Sequence, residues 1–402
     1  MNCGCAKRLS VPNRARTAVA SVVVAFIRDN GEVIHPLAEP SVTGTRFSDI
    51  PPVDLSGEPT AGRVARAYLR DNVQRLLTED ARVRHNEDDS VHQYRVACRR
   101  LRSALGTYSD FYDPGCVAAI RERLRALGMV LGGARDAEVM RKRLLKRVAA
   151  QDPELVIGPV KARLRTSLSA DYDRALEESI QAMNQPEYST LIEDLRALVS
   201  ADPELGRAEA PAWMVLPTLL VKDWKRLRKR VRHAAEPLTG EDHDLALHEV
   251  RKGAKRLRYS AESMRQVLGD PVDVIAQSAE LLQEVLGDRQ DGSGARQKVL
   301  EQAIQARAAG EDTFIYGRLH AIEDALAHEN VEAYQDALAK LNGVRPMGAK
   351  PLPLASEPLS EGEAESDSTD PSDDQETASP GPTHEPQVPE AGLVANRPQA
   401  QP

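Results

Sequence analysis

Two cationic stretches stand out as places where this 402-residue chain could do chemistry. Val91–Leu105, VHQYRVACRRLRSAL, puts one histidine and four arginines between His92 and Arg102. Leu247–Glu262, LHEVRKGAKRLRYSAE, aligns with it without gaps at an offset of 156, so that His92 falls on His248, Arg95 on Arg251, Arg99 on Lys255, Arg100 on Arg256 and Arg102 on Arg258. A second match follows at an offset of 155, where Leu127-x3-Leu131-Gly132-x3-Asp136 meets Leu282-x3-Leu286-Gly287-x3-Asp291. Two matched segments in the same order argue for an internal duplication. Side chains of this kind bind anions, so the chemistry on offer is recognition of negative charge.

Helical periodicity sorts the stretches into faces. At about 100° per residue from His92, residues Arg102, Arg95 and Arg99 fall near 280°, 300° and 340°, within an arc of about 80°. Tyr94, Cys98, Leu101, Leu105 and Tyr108 take the opposite side. In the second copy Val250, Ala254, Leu257 and Ala261 are apolar, while His248, Arg251, Lys255 and Arg258 are basic. Successive cations stand about 5 Å apart along the axis and repel by a few tenths of a kcal/mol per pair. A regularly charged polyanion laid on the row would relieve that repulsion. Lys222–Arg232 adds seven cations against one acid, among them Lys225, Arg226 and Lys229, with Leu220, Trp224, Leu227 and Val231 at core spacing.

Ser90-Val91-His92-Gln93 has the form of a capping box with Ser90 as N-cap, which places His92 in a first helical turn. His92 and His248 are read as phosphate contacts or as structural groups. Two histidines without an HxxE or ExxH partner are too few for a structural zinc, so no metal or other cofactor is expected.

The elements positioning these residues are read as helices. Hydrophobic residues make up 41 % of the chain and aromatics only 4 %, and no region alternates apolar with polar residues over a strand's length. The expected fold is all-α. Residues 1–60 read as an irregular segment carrying Pro36, Pro40, Pro51 and Pro52, residues 61–341 as the helical body (repeats about 61–200 and 211–341), and residues 342–402 as a disordered acidic tail. From Pro351 onward eleven acids face one base, a net of −10, which leaves the first 350 residues at +2 within a total of −8. Tethered beside a basic surface, such a tail either occupies it at high effective concentration or merely aids solubility. Four cysteines do not make a disulfide framework, and Cys98 lies in a helical pattern as a small apolar residue. The apolar run Thr17–Ile27 is too short to span a bilayer and is followed by Arg28-Asp29-Asn30, which points to a cytoplasmic protein without membrane association.

Taken together, His92-x2-Arg95-x3-Arg99-Arg100-x-Arg102, Leu131-Gly132-Gly133-Ala134-Arg135-Asp136 and His248-x2-Arg251-x3-Lys255-Arg256-Leu257-Arg258-Tyr259 resemble the CHAD domain, a histidine-containing α-helical domain, over about Ala61–Leu341. The resemblance implies two pseudo-symmetric four-helix bundles with a basic channel between them. It also implies binding of inorganic polyphosphate and association with polyphosphate granules, with the motif cations lining the basic surface. Gly292-Ser293-Gly294 departs from the first copy and is expected to break or displace the helix there. CHAD domains often follow a CYTH triphosphate-hydrolysing domain, but the first sixty residues hold only Glu32, Glu39 and Glu58 as glutamates and no ExExK motif. Walker A, GxSxG, HExxH and DxD patterns are also missing beside the basic helices, so a non-catalytic binding protein is expected. The alternatives are sequence-independent nucleic-acid binding, for which Tyr259 is the main stacking candidate, and a helical scaffold for a protein partner.

Overall fold

The computed structural model of the chain describes residues 50–238, 240–328 and 331–354. The Cys3–Cys5 pair, the run Thr17–Ile27 and most of the acidic tail lie outside the described residues. Among those described there are ten α-helices and no β-strand: α1 (Ala61–Arg84), α2 (Ser90–Thr107), α3 (Pro114–Ala149), α4 (Val160–Met183), α5 (Pro186–Ser200), α6 (Ala212–Ala234), α7 (Glu241–Leu268), α8 (Asp270–Ala308), α9 (Phe314–His328) and α10 (Val331–Gly343). The all-α expectation holds.

Local signals set the helix ends. Thr60 Oγ1 accepts from the Arg63 amide and caps α1, and Asp113 Oδ1 accepts from the Cys116 amide, with Pro114 opening α3. Proline also stands in the first turn of α5 and α8. The capping box at α2 is not formed as the sequence suggests. Asp89, at φ 60°, precedes the helix, Ser90 is already helical, and its hydroxyl donates to the Glu87 carbonyl. Gln93 instead donates to the Asp89 carboxylate. His92 remains in the first turn.

Helices α1–α4 pack in sequence, as do α6–α9, and the halves meet through α2 against α7, α1 against α6 and α7, and α3 against α8. Each half holds five helices, since α5 packs on α1, α3 and α4 and α10 packs on α8, against the four implied by the resemblance. The apolar interior does not divide by halves. One large core gathers residues from every helix except α9, including Leu69, Leu101, Leu124, Trp224, Leu257 and Leu282. A smaller one, with Leu144, Val148, Leu164, Val299, Ile315 and Tyr316, closes the far ends of α3, α4, α8 and α9. Helices α3 and α8, roughly 54 and 58 Å long, run through both.

A charged cluster accompanies the smaller core. Glu323 of α9 is 0 % exposed and accepts from Arg143 Nε at 2.9 Å, Arg143 Nη2 at 2.5 Å and Arg147 Nε at 2.9 Å, tying α9 to α3. Opposite it, Gly292-Ser293-Gly294 does not break α8, which is continuous from Asp270 to Ala308. A Cβ at Gly292 would stand 3.4 Å from Arg143 Nη2 and one at Gly294 3.5 Å from the Met140 methyl. The glycines cost about 1 kcal/mol each in helix propensity but let the two long helices close on this cluster.

The boundary of the tail also shifts. After α10 the segment Val344–Leu354 returns across α6: Trp224 Nε1 donates to the Lys350 carbonyl at 2.8 Å and Arg228 Nε to that of Pro351 at 3.0 Å. Asn342 donates to the Leu352 carbonyl and accepts from its amide, and Leu352 is 0 % exposed. One buried leucine and four hydrogen bonds make this strap part of the body. A truncation that isolates the effect of the acidic residues must therefore fall after Leu354.

Candidate anion-binding site

The two sides of α2 are those the helical wheel predicts. Tyr94, Cys98, Leu101, Leu105 and Tyr108 are buried, and burial pushes the Cys98 thiol up to about 12. His92, Arg95, Arg99 and Arg102 are all half-buried. They are not a fully solvated row. Arg95 lies across α3, its Nη1 donating to the Gly128 carbonyl at 3.1 Å and standing 2.7 Å from where a Cβ on Gly132 would be. Arg251 does the same on α8, with Nε 3.4 Å from the Gln283 carbonyl and Nη2 3.0 Å from the missing Cβ of Gly287. The Leu-Gly pair that recurs in the sequence is thus the seat of the recurring arginine. Any side chain at Gly132 or Gly287 would lift the guanidinium from its place.

Around His92 the charges are mixed. Burial, then the nearby Arg135, holds its imidazole below the ordinary histidine range. Arg135 Nη1 donates to Glu138 at 2.7 Å and Lys142 Nζ to the same carboxylate at 2.6 Å. Burial would raise the Glu138 carboxyl, but these two cations outweigh it and hold it low. Arg99 forms no ion pair among the described residues, and its buried Nε has no hydrogen-bond partner there. Burial and Arg135 thus favour the neutral form of His92. We expect its NMR titration midpoint to lie below 6.5 and to rise when polyphosphate is added, since a bound anion favours the imidazolium. An unmoved midpoint would place the ligand away from this end of α2.

The remaining candidates separate into distinct environments. Arg100 and Arg258 are tied up at the α2–α7 junction: Arg100 bonds Glu262 Oε2 through Nε at 3.0 Å and Nη2 at 2.9 Å, and Arg258 bonds Glu262 Oε1 at 2.8 Å and Glu280 at 2.8 Å. Both guanidiniums lie over the Tyr259 ring, 5.8 and 5.7 Å from its centroid. Arg256 and Arg226 converge on Asp223, at 2.7 and 2.9 Å, where Thr107 also donates at 3.1 Å. Burial alone would raise the Asp223 carboxyl; Arg256 and Arg226 prevail and hold it below the usual range. Lys225 and Lys229 face outward from α6 and are exposed. His248 and Lys255 are half-buried on α7 beside Arg251.

Several residues that shape the site do not stand out in the sequence. Arg121 of α3 approaches Arg256 beside Gly106, Arg102 lies near Glu122, and Asp223 and Glu262 anchor four of the predicted cations. Arg121 belongs to Arg121-Glu122-Arg123-Leu124-Arg125, where alternation with other charges hides which arginine faces α2. Among the described residues no group of three or more His, Cys, Asp or Glu is placed to hold a metal, and no helix is long and apolar enough to cross a membrane.

The chain matches the CHAD domain family over residues 67–300, and it belongs to that family. Two uncharacterized proteins of Mycobacterium tuberculosis, from strains CDC 1551 / Oshkosh and ATCC 25618 / H37Rv, are each 36 % identical to it over 288 residues, 71 % of this chain. The match covers 54 % of each relative, so the chain spans about half the length of those proteins. Two solved structures share the fold at a TM-score of 0.55. PptA from Streptomyces chartreusis, 22 % identical, is covered over 99 % of its length and covers 70 % of this chain. The CHAD domain from the plant Ricinus communis, 20 % identical, is covered over 96 % and covers 74 % of this chain.

Proposed function

We propose that this protein binds inorganic polyphosphate without cleaving it, through the half-buried cations of α2, α3, α6 and α7, and that this binding brings it to polyphosphate granules in the cytoplasm. The observation that carries the proposal is the paired seating of Arg95 on Gly132 and Arg251 on Gly287. Fixed guanidiniums lose little side-chain entropy on meeting phosphate oxygens and match their geometry. Membership of a family associated with polyphosphate supports the same reading.

Nucleic acid is the second reading, and the aromatic inventory bears on it. Tyr259 is only 5 % exposed and lies beneath Arg100 and Arg258, so it offers no face to a base. Trp213 is 58 % exposed but opens α6, nine residues and roughly 14 Å ahead of Lys222. Polyphosphate needs no stacking platform.

Parallel titrations with long-chain polyphosphate, single-stranded RNA and duplex DNA, at low and near-physiological salt, test the proposal. Polyphosphate is expected to stay tightly bound at the higher salt while both nucleic acids weaken, with no orthophosphate released. Equal weakening of all three would reduce the surface to a generic polyanion binder. A chain ending at Leu354 keeps the strap and removes the acidic segment; tighter polyphosphate binding than in the full chain would mean the segment competes, and equal binding that it serves solubility.

A further inference from the structure

The outer side of α6 carries a row of three lysines. Taking Lys222 as zero, Lys225 and Lys229 fall near 300° and 340° on a helical wheel, so the three share an arc of about 60°. All three are exposed. The arginines interleaved with them are held: Arg226 by Asp223 at 2.9 Å, Arg230 by Glu249 at 3.5 Å and Arg228 by the Pro351 carbonyl at 3.0 Å. None of the three lysines makes an ion pair or hydrogen bond among the described residues. Like charges at such spacing repel one another, so an anion lying along the row would stabilise it.

We propose that the occupant is the chain's own acidic segment, Glu357–Glu376, laid along α6 on Lys222, Lys225 and Lys229. The strap delivers it there. Trp224 and Arg228 of the same helix hold the Lys350 and Pro351 carbonyls, Leu352 is buried, and the described residues end at Leu354. Glu357 follows Pro351 by six residues, a reach of up to about 20 Å around a helix about 10–12 Å in diameter. So short a tether keeps the effective concentration of carboxylates at the row high. Charge and spacing agree with this placement. From Glu357 to Glu376 there are nine acids and no Lys or Arg. Glu361, Glu363, Glu365 and Asp367 alternate with Gly362, Ala364 and Ser366, so that an extended backbone presents four carboxylates on one edge, one every 7 Å or so. The lysines they meet stand about 4.5 and 6 Å apart along α6, a mismatch that their long side chains absorb. An external polyanion then reaches these lysines only by displacing the segment.

Amine acylation of the full-length chain, read residue by residue by mass spectrometry with no polyphosphate present, tests the contact. The comparison is a full-length variant in which the nine acids of Glu357–Glu376 are exchanged, Glu→Gln and Asp→Asn, leaving the described body unaltered. At low salt Lys222, Lys225 and Lys229 are expected to react about threefold or more faster in the variant, because several weak exposed pairs on a short tether keep the row covered most of the time. Lys146 and Lys161, exposed at the end of α3 and the start of α4, should react alike in both proteins. At about 1 M salt, where the Debye length is about 3 Å, the difference should vanish. Equal rates at the three lysines in both proteins, or an equal gain at Lys146 and Lys161, would overturn the proposal. Protection that grows with protein concentration would also overturn it, assigning the segment to a second copy of the chain. The outcome is separate from that of the polymer titrations, since a chain that binds no polyphosphate would still show the protection, and one that binds it need not.

Discussion

Exchanging Arg95, Arg99, Arg251 and Lys255 for alanine in one variant is expected to weaken long-chain polyphosphate binding at least about a hundredfold and to flatten its salt dependence, each lost phosphate contact removing roughly one from the slope of log K against log salt. From the sequence alone these residues are surface cations, and their removal should leave the fold untouched. Their surroundings show otherwise. Without Arg95 and Arg251 the Gly128 and Gln283 carbonyls lose a donor, and hollows open over Gly132 and Gly287. Each carbonyl keeps its helical donor, so what is lost is a second hydrogen bond, worth about 0.5–1.5 kcal/mol, and the packing over the glycine; the variant should melt somewhat lower while keeping its helical circular dichroism at 25 °C. Arg99→Ala separates the two effects. Having no ion pair among the described residues to lose, it should flatten the salt slope with little change in melting temperature. Full affinity and an unaltered slope in the quadruple variant would remove this row from the binding surface.

Asp223→Ala should be the most damaging single substitution near the site. The carboxylate is 2 % exposed and is shared by Arg256, Arg226 and Thr107. Deleting one partner of a buried ion cluster costs about 3–5 kcal/mol, because the remaining charges stay desolvated. For a body of this size that corresponds to a fall in melting temperature on the order of 10 °C. The effect should also depend on pH with a definite sign. The folded-state value of Asp223 lies below its unfolded value of about 3.9, so its stabilisation is complete above that pH and is lost as pH falls through the folded value. Wild-type protein should therefore lose melting temperature below about pH 4 more steeply than Asp223→Asn does. Parallel curves for the two proteins would show that the Asp223 charge contributes no net stability.

Much of this arrangement is legible before folding is considered. The 3.6-residue period separates Tyr94, Cys98, Leu101 and Leu105 from Arg95, Arg99 and Arg102, because burial depends on helix face and the face follows from spacing. Prolines at 114, 186 and 271 mark helix starts for a local steric reason. Local signals misled in other places. Ser90 matches the N-cap pattern, yet Asp89 in the left-handed region takes the preceding position. The Gly292-Ser293-Gly294 run suggests a break, yet tertiary contacts with α3 and α9 hold α8 helical at a cost that propensity alone would not meet. Tyr259 appears free to stack on bases until the second arginine folds over it.

What the sequence determined by itself is the class of structure and the chemistry of its surface: helices, their apolar faces, and a repeated set of cations suited to anions. These follow from interactions within a few residues, which spacing encodes. Which cations remain able to meet a ligand was decided only in three dimensions. Arg100 and Arg256 occupy matched positions in matched motifs, but one meets Glu262, 162 residues away, and the other meets Asp223 on a neighbouring helix and Arg121 across the junction. The charge state and accessibility of an arginine depend on the groups packed against it, and those are brought together by the closure of α2 on α7, which no local pattern specifies.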